Sequence, residues 1–300
     1  MAKPIIAIVG ATATGKSDLA LDLAERLGGE IINTDAMQVY RGMDVGTAKL
    51  PVAERRGIPH HLIDIAEVSE VASVAEFQRL AHEVIVDCRS RKVAPILVGG
   101  SALYTRAILD EFEFPGTDPA IRARLEDELE EQGSALLHAR LAELDPQAAQ
   151  GILISNGRRI VRALEVIEMQ GSFTSSLPEH VYRDPDTVQI GLDIDRPTLD
   201  ERIALRVDHM WAAGLVDEVR ELAERGLRAS RTASRAIGYQ QALAFIDGEV
   251  DEATAREQIA AATRRFARRQ DSWFRKDPRV VWIPFNAPDR VDLAVSSLPD

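Results

Sequence analysis

The stretch "GATATGKS", residues 10 to 17, constrains this chain more than any other. It satisfies G-x-x-x-x-G-K-[ST], and it follows the apolar run "IIAIVG" and opens the amphipathic run "GKSDLALDLAERLG". Strand, glycine-rich loop and helix in that order make a phosphate cradle. Gly10 and Gly15 let the backbone turn tightly, so that the N–H groups of Ala11, Thr12, Ala13, Thr14 and their neighbours point inward. The helix N-terminus adds about half a positive charge at the same place. Lys16 supplies a full charge, and the Ser17 hydroxyl is a ligand for Mg²⁺. The loop asks for a diphosphate or a triphosphate and leaves open which.

The rest of the first third alternates strand and helix. "EIINTD", "PHHLIDI" and "APILVGG" read as strands, "VAEFQRLAHEVIVDCRSRK" as an amphipathic helix, and Ser101 to Leu109 as another helix. Such alternation implies an α/β fold, a parallel sheet flanked by helices on both faces. Ligands in these sheets sit beyond the carboxyl ends of the strands. Gly10, Asp35 and Gly99 to Ser101 all lie at such ends, so they converge on one site. From Asp118 to about Gln170 the pattern is helical throughout, an insertion expected over 115–185 between two parts of a core domain, 1–114 and 186–300. "TVQIGLDI" and "RVVWIPF" complete the sheet, with one helix from Thr198 through Arg225, another from Asp251 to about Trp273, and a loose tail over the last dozen residues.

One cysteine, Cys88, excludes an internal disulfide and suits a reducing compartment. No run approaches the length of a membrane span, and the amino end lacks the features of a secretory leader, so the chain reads as cytoplasmic, with no membrane partner. The histidines show no metal-ligand spacing, which argues against structural zinc. A net charge of −12 would repel a polyanion at long range. Screening limits that repulsion to about 10 Å at ~0.1 M salt, so local patches decide contact. The run "TRRFARRQDSWFRK" is such a patch. At helical spacing Ile259, Phe266, Gln270 and Trp273 face the core, while Arg264, Arg268 and Arg275 share a flank with Arg265, Arg269 and Lys276 beside them. A solvated helix face is the bland account; phosphate contact explains the clustering better in so acidic a chain.

Motif physics leaves a small-molecule kinase of the nucleotide or shikimate type, an ATP-binding enzyme, as the default; a motor or switch would need an aspartate after a long apolar strand to hold Mg²⁺. Asp35, Asp64 and Asp193 are rivals for that role.

Eight ordered blocks change this reading: "GATATGKS", "INTDAMQVYRGMDVGTAK", "PHHLIDI", "VGGSALY", "GRRIVRALE", "RIALRVDHM", "AIGYQQ" and "RRFARRQDSWFRKDP". Their order and spacing, from Ile5 to about Ile283, resemble the tRNA dimethylallyltransferases, also called tRNA isopentenyltransferases. The resemblance implies a P-loop NTPase-like fold with a helical insertion domain that contacts tRNA. It implies transfer of a dimethylallyl group from dimethylallyl diphosphate to N6 of the adenosine at position 37, in the anticodon stem-loop. By the same resemblance Mg²⁺ and the loop hold the diphosphate, Arg206 is a second phosphate-binding cation, and Asp35 is the general base. An aspartate carboxylate is ordinarily ionised at neutral pH and can accept a proton from the attacking amine; a helix cap or Mg²⁺ ligand is the alternative role at Asp35. Positions carried over as RNA contacts are Asp35, Ala36, Met37, Gln38, Ser101, Arg122, Ser155, Asn156, Gly157, Arg158 and Arg159, to which the basic run adds Arg264 and Arg268. Ala36, Ser101 and Asn156 depart from the commoner Ser, Thr and Asp of the family. One site per chain makes a monomer sufficient.

Overall fold

In the computed structural model, residues 3–70, 72–111, 113–174 and 178–299 are described. Two compact units emerge, one made of 1–111 with 182–300 and the other of 112–181.

The first unit is built on six parallel strands: β1 (Ile5–Val9), β2 (Gly29–Asn33), β3 (His60–His61), β4 (Ala94–Val98), β5 (Thr187–Asp193) and β6 (Val280–Pro284), in the order β3-β2-β4-β1-β5-β6. The expected α/β sheet is therefore present. Successive side chains on a strand point to opposite faces. Ile6 and Ile8 of β1, with Ile31 and Ile96, pack beneath α1 (Lys16–Leu27) through Leu19, Leu21 and Leu23. Ile5, Ala7 and Val9, with Ile32 and Leu97, face the other layer. That layer contains α2 (Val74–Ser90) and α3 (Ala102–Leu109). Each fully buried isoleucine contributes about 1.5–3 kcal/mol by leaving water.

The third strand is shorter than "PHHLIDI" promised. Leu62 and Asp64 take positive φ values of 61° and 58°, which no ladder accommodates. The expected single helix from Thr198 to Arg225 is two, α8 (Arg196–Ala212) and α9 (Leu215–Glu224) once the insertion's helices are counted below, because Gly214 turns left-handed at φ 94°. A further helix, α10 (Tyr239–Ile246), precedes α11 (Glu252–Phe274). The tail is not loose: Arg290–Ser296 forms α12, and its Ala294 is fully buried against the α1 layer.

In the second unit α4 (Pro119–Gln132), α5 (Ser134–Leu144), α6 (Pro146–Gln150) and α7 (Gly157–Gln170) close their own core around Leu125, Leu137, Leu141, Ile160 and Leu164. Caps define the helix starts: Asp118 accepts from Ala120 and Ile121, and Asp145 from Ala148.

Candidate active site

The connection from β1 runs past β4 to β2, whereas the connection from β4 runs past β1 to β5, so these two neighbouring strands send their connections to opposite edges of the sheet. That switch point is where an open parallel sheet binds ligands. A cavity of about 260 Å³ lies there, lined among others by Thr12, Lys16, Ser17, Asp35, Arg202 and Arg206. A second cavity of about 390 Å³ adjoins it, and both are lined by Thr12, Asp35, Thr47 and Arg206. Its wall is more apolar, with Met37, Met210, Ile237, Ile259 and Phe266.

The phosphate loop has the backbone its sequence requires. Gly15 sits at φ 95° where α1 begins, and having no side chain it leaves the first N–H groups of the helix uncapped. Ala13 also takes a positive φ, 64°, a costly conformation for a residue with a Cβ and one that turns successive N–H groups to one side. Lys16 Nζ donates to the Ala11 carbonyl at 2.5 Å, and the Thr14 hydroxyl donates to the same oxygen at 3.0 Å. Burial pushes the Lys16 ammonium down to about 7, the positive Arg206 lowers it further, and Asp35 opposes both. Burial lowers the Arg206 guanidinium as well, with Asp35 acting against it and Arg202 adding to it. Each of these cations is destabilised by a neighbouring one, and an anion among them removes that cost.

Asp35 stands just past the end of β2 in a loop fixed from several sides. Asn33 accepts from the Asp35 N–H at 2.8 Å and donates to its carbonyl at 3.1 Å. The Ser101 hydroxyl accepts from Ala36 N–H at 3.3 Å, and one Asp35 carboxylate oxygen accepts from Met37 N–H at 2.8 Å. The second glycine pair explains how the loops come so close: a Cβ on Gly99 would lie 2.5 Å from the Thr34 backbone carbonyl carbon. Of the three rival carboxylates, only Asp35 reaches the cavities. Asp64 is ion-paired to Lys49 at 2.6 Å, and Asp193 to Arg275.

Ala36, Met37 and Ser101 line the second cavity, and Gln38 the first. The carried-over positions in the helical unit do other things locally. Arg122 donates at 2.7 Å to Glu165, whose side chain is fully buried. Asn156 caps α7 by accepting from Arg159 N–H at 3.2 Å, so the amide suffices where a carboxylate is commoner. Gly157 lets α4 approach: a Cβ there would meet Leu129 at 2.8 Å. Ser155 and Arg158 are exposed. On α11, Arg264 and Arg268 stand 4.0 and 3.7 Å from Asp200 of α8. Trp273, expected in the core, is 46% exposed; Ala267 and Phe274 occupy the buried face with Ile259 and Gln270.

Among the cavity residues that escaped the sequence reading are Arg202, Gln270 and Thr47. Arg202 donates to the Ala13 carbonyl at 2.6 Å and lines the first cavity. Its spacing of one helical turn from Arg206 was the available signal. Gln270 accepts from Thr12 N–H, and Thr47 borders both cavities; nothing local in the sequence marks either. The histidine reading needs an addition: Glu30, His61 and Cys88 do come within metal-ligand reach of one another among the described residues. Arg91 occupies both Glu30 oxygens at 2.6 and 2.7 Å, and burial pushes the Cys88 thiol up to about 11, so the donors are not offered to an ion. Among the described residues no helix is long and apolar enough to cross a membrane.

The family model described as IPP transferase matches residues 38–277. A tRNA dimethylallyltransferase from a Nocardioides species is 65% identical over 98% of this chain and 95% of its own length. The crystal structure of a full-length tRNA isopentenylpyrophosphate transferase from Bacillus halodurans, 40% identical, superposes with a TM-score of 0.71 over 98% of this chain and 94% of that one. A eukaryotic dimethylallyltransferase acting on tRNA, 26% identical, gives 0.79 over 98% of this chain and 77% of the other.

Proposed function

The chain belongs to the IPP transferase family, the tRNA dimethylallyltransferases, and on that premise we propose that it transfers a dimethylallyl group from dimethylallyl diphosphate to N6 of adenosine 37 in a tRNA anticodon loop. The observation that carries this reading is the position of Asp35, on the shared border of a cationic cavity and an apolar one.

In this reading the diphosphate lies in the first cavity, against the loop N–H groups, Lys16, Arg202 and Arg206, and the allylic carbons extend into the second. The bond from C1 of the dimethylallyl group to the bridging oxygen breaks, and its electron pair stays with diphosphate. Lys16 and Arg206 stabilise that growing charge without reorganising, usually the largest catalytic contribution. The N6 lone pair forms the new bond to C1, and the N6 proton passes to the Asp35 carboxylate. Ser17 and Asp18 add hard oxygen donors to the first cavity, a set that fits Mg²⁺, which when bound would draw further charge off the leaving group.

Reaching N6 means unstacking the adenine, which costs a few kcal/mol and is easiest in a single-stranded loop. Arg264, Arg268 and Arg158 are proposed phosphate contacts that offset the cost, with Ser101, Ala36, Met37 and Gln38 near the base. A cytoplasmic setting and a monomeric enzyme belong to the same proposal.

Incubation with labelled dimethylallyl diphosphate and unmodified tRNA tests it: N6-prenyladenosine is expected. Transfer of the terminal phosphate of ATP to a small acceptor, without prenylated RNA, would overturn it in favour of a kinase.

A further inference from the structure

Thr12, Asp35, Thr47 and Arg206 stand on the border of the two cavities. Three of them have a firm footing: Thr12 in the phosphate loop, Asp35 on the Asn33 side chain, and Arg206 on α8. Thr47 belongs to a turn outside any helix or strand, and its neighbour Ala48 takes a positive φ of 48°, a strained conformation for a residue with a Cβ. Such a turn keeps its shape only when its surroundings impose it.

Glu218, in the first turn of α9, does so. Its Oε2 accepts from Asp44 N–H at 3.0 Å and Val45 N–H at 2.6 Å, and its Oε1 accepts from Gly46 N–H at 3.1 Å. The Tyr239 hydroxyl, at the start of α10, donates to that same Oε1 at 2.6 Å. Burial, and then the Glu218 charge, raise this hydroxyl well above its ordinary value, so it stays a donor. Both carboxylate oxygens are thereby occupied, three of the four donors being consecutive backbone amides. The Tyr239 ring lies so close to the turn that a Cβ on Gly46 would stand 2.6 Å from its Cζ. Lys49, itself buried, adds bonds to the Tyr40 carbonyl at 2.9 Å and to the Asp44 carboxylate at 2.6 Å.

Neither Glu218 nor Tyr239 lines either cavity, so whatever they do for the reaction passes through the turn. The turn meets the site at two points. Thr47 forms part of the border, and its carbonyl accepts from the Gln38 side-chain amide at 3.2 Å, which orients Gln38 in the first cavity. Transfer from an allylic diphosphate to an amine needs C1 held between the bridging oxygen and the incoming nitrogen. With the diphosphate in one cavity and the carbons in the other, C1 lies at this border. A displacement of about 1 Å there costs up to about 10² in rate, while a diphosphate held by the loop and its cations feels little of it.

We propose that Glu218 is a positioning residue for prenyl transfer: by gripping the amides of Asp44, Val45 and Gly46 it sets Thr47 and Gln38 around the reacting carbon. The inference rests on the reading of the two cavities as the seats of diphosphate and allylic group.

Single-turnover prenyl transfer and calorimetric titration with pyrophosphate, both on the full chain with Mg²⁺, test it. Glu218→Gln keeps the shape but offers one acceptor oxygen in place of two and sets an NH₂ against backbone N–H groups. The transfer rate should fall by about 10- to 100-fold while pyrophosphate affinity stays within about twofold. Gly46→Ala disturbs the same contact from the side of the turn, through the Tyr239 ring, and should give the same split. Thr47→Ala removes the wall that the turn presents. Adding Glu218→Gln to it should lower the rate by no more than about threefold further, as expected when one residue acts through another. An unchanged rate in Glu218→Gln and Gly46→Ala would overturn the proposal. So would rate and pyrophosphate affinity falling together, or full additivity with Thr47→Ala, which is what a merely structural contact gives. Should Glu218→Gln fail to fold, Gly46→Ala and the milder Tyr239→Phe, expected to lose about threefold in rate, decide by the same split. An unsubstituted protein that transfers no prenyl group sinks the functional reading; one that transfers, and whose variants keep its rate, sinks this inference alone.

Discussion

The sheet unit and the helical unit use their cations in opposite ways. Around the phosphate loop Lys16, Arg202 and Arg206 are gathered, and burial depresses Lys16 and Arg206, with Arg206 adding to the effect at Lys16 and Arg202 to that at Arg206. Around the buried Glu165 and its neighbours in the helical unit the cations are matched. Glu165, fully buried, takes Arg122 at 2.7 Å and Arg162 at 2.8 Å, while Arg124 bonds Glu128 and Glu168, and Arg140 bonds Glu128. Matched charges hold a small helical core in one arrangement, whereas crowded like charges store energy that a ligand can release. A census of arginines cannot tell the two apart; their neighbours can.

The largest expected effect lies at the border of the two cavities. Asp35→Asn keeps the shape of the loop and removes the proton acceptor, so kcat for prenyl transfer should fall by about 10²–10⁴. Pyrophosphate affinity, measured by calorimetry, should hold or tighten slightly, because a carboxylate facing the anion is gone. Retained turnover would remove Asp35 as the base. Next in size is the opposite kind of site. Glu165→Gln removes the buried charge that Arg122 and Arg162 share, leaving Arg122 only Glu126 at 3.4 Å, at a cost of about 3 kcal/mol. Burial pushes the Glu165 carboxyl up, but Thr117, Arg162 and Arg122 together outweigh it and hold the group below its ordinary value. A carboxyl lowered in the folded state stabilises above the unfolded value of 4.5 and loses that contribution as pH falls through the folded one. Hydrogen exchange should therefore quicken in α4 and α7 of the variant at neutral pH, with the difference from the parent closing in acid. Pyrophosphate binding should be unaffected.

Legibility in the sequence follows the same division. The phosphate loop was readable because its function resides in the backbone: Gly10, Gly15 and the strand–helix context specify it without reference to distant residues. The sheet was readable because strands buried on both faces are apolar throughout, as β1 is. The two-residue β3 was not, since its apolar run is broken by left-handed Leu62 and Asp64, a conformation with no compositional mark. The split between α8 and α9 was marked by Gly214, which the helical periodicity on either side masked. Asp35 was separable from Asp64 and Asp193 only through the family resemblance, and spatially it differs because Lys49 and Arg275 occupy the other two. Gln270 was out of reach for a plain reason: its partner is far off in the chain, Thr12 lying 258 residues away.

The third test weighs the stored charge itself. Lys16 is lowered to about 7 in the free protein, and a bound anion should return it toward 10.5. Above pH 7 the empty site holds a neutral amine, so diphosphate binding takes up a proton and weakens by up to tenfold per pH unit. Below pH 7 the ammonium is already charged and this dependence disappears. Lys16→Arg stays protonated throughout, so subtracting its titration removes the ligand's own protonation from the comparison. Identical pH profiles for the two proteins would mean that the cations are not strained in the free state.

The smallest effect concerns RNA and returns to the helical unit. Arg158 is exposed at the start of α7, whereas Arg122 is tied to Glu165. A cation that meets a phosphate releases counterions on binding; one already paired to a carboxylate does not. Arg158→Ala should therefore reduce the slope of log affinity against log salt by about 0.7–0.9 and cost a few-fold in tRNA affinity. Arg122→Ala should leave that slope alone while loosening α4. Arg264 and Arg268 fall between, because Asp200 stands 4.0 and 3.7 Å away and must be released before either meets RNA. Were Arg122→Ala to flatten the slope as much as Arg158→Ala, the Glu165 pairing would have to open on RNA binding, and the contrast between matched and crowded cations would describe the free protein alone.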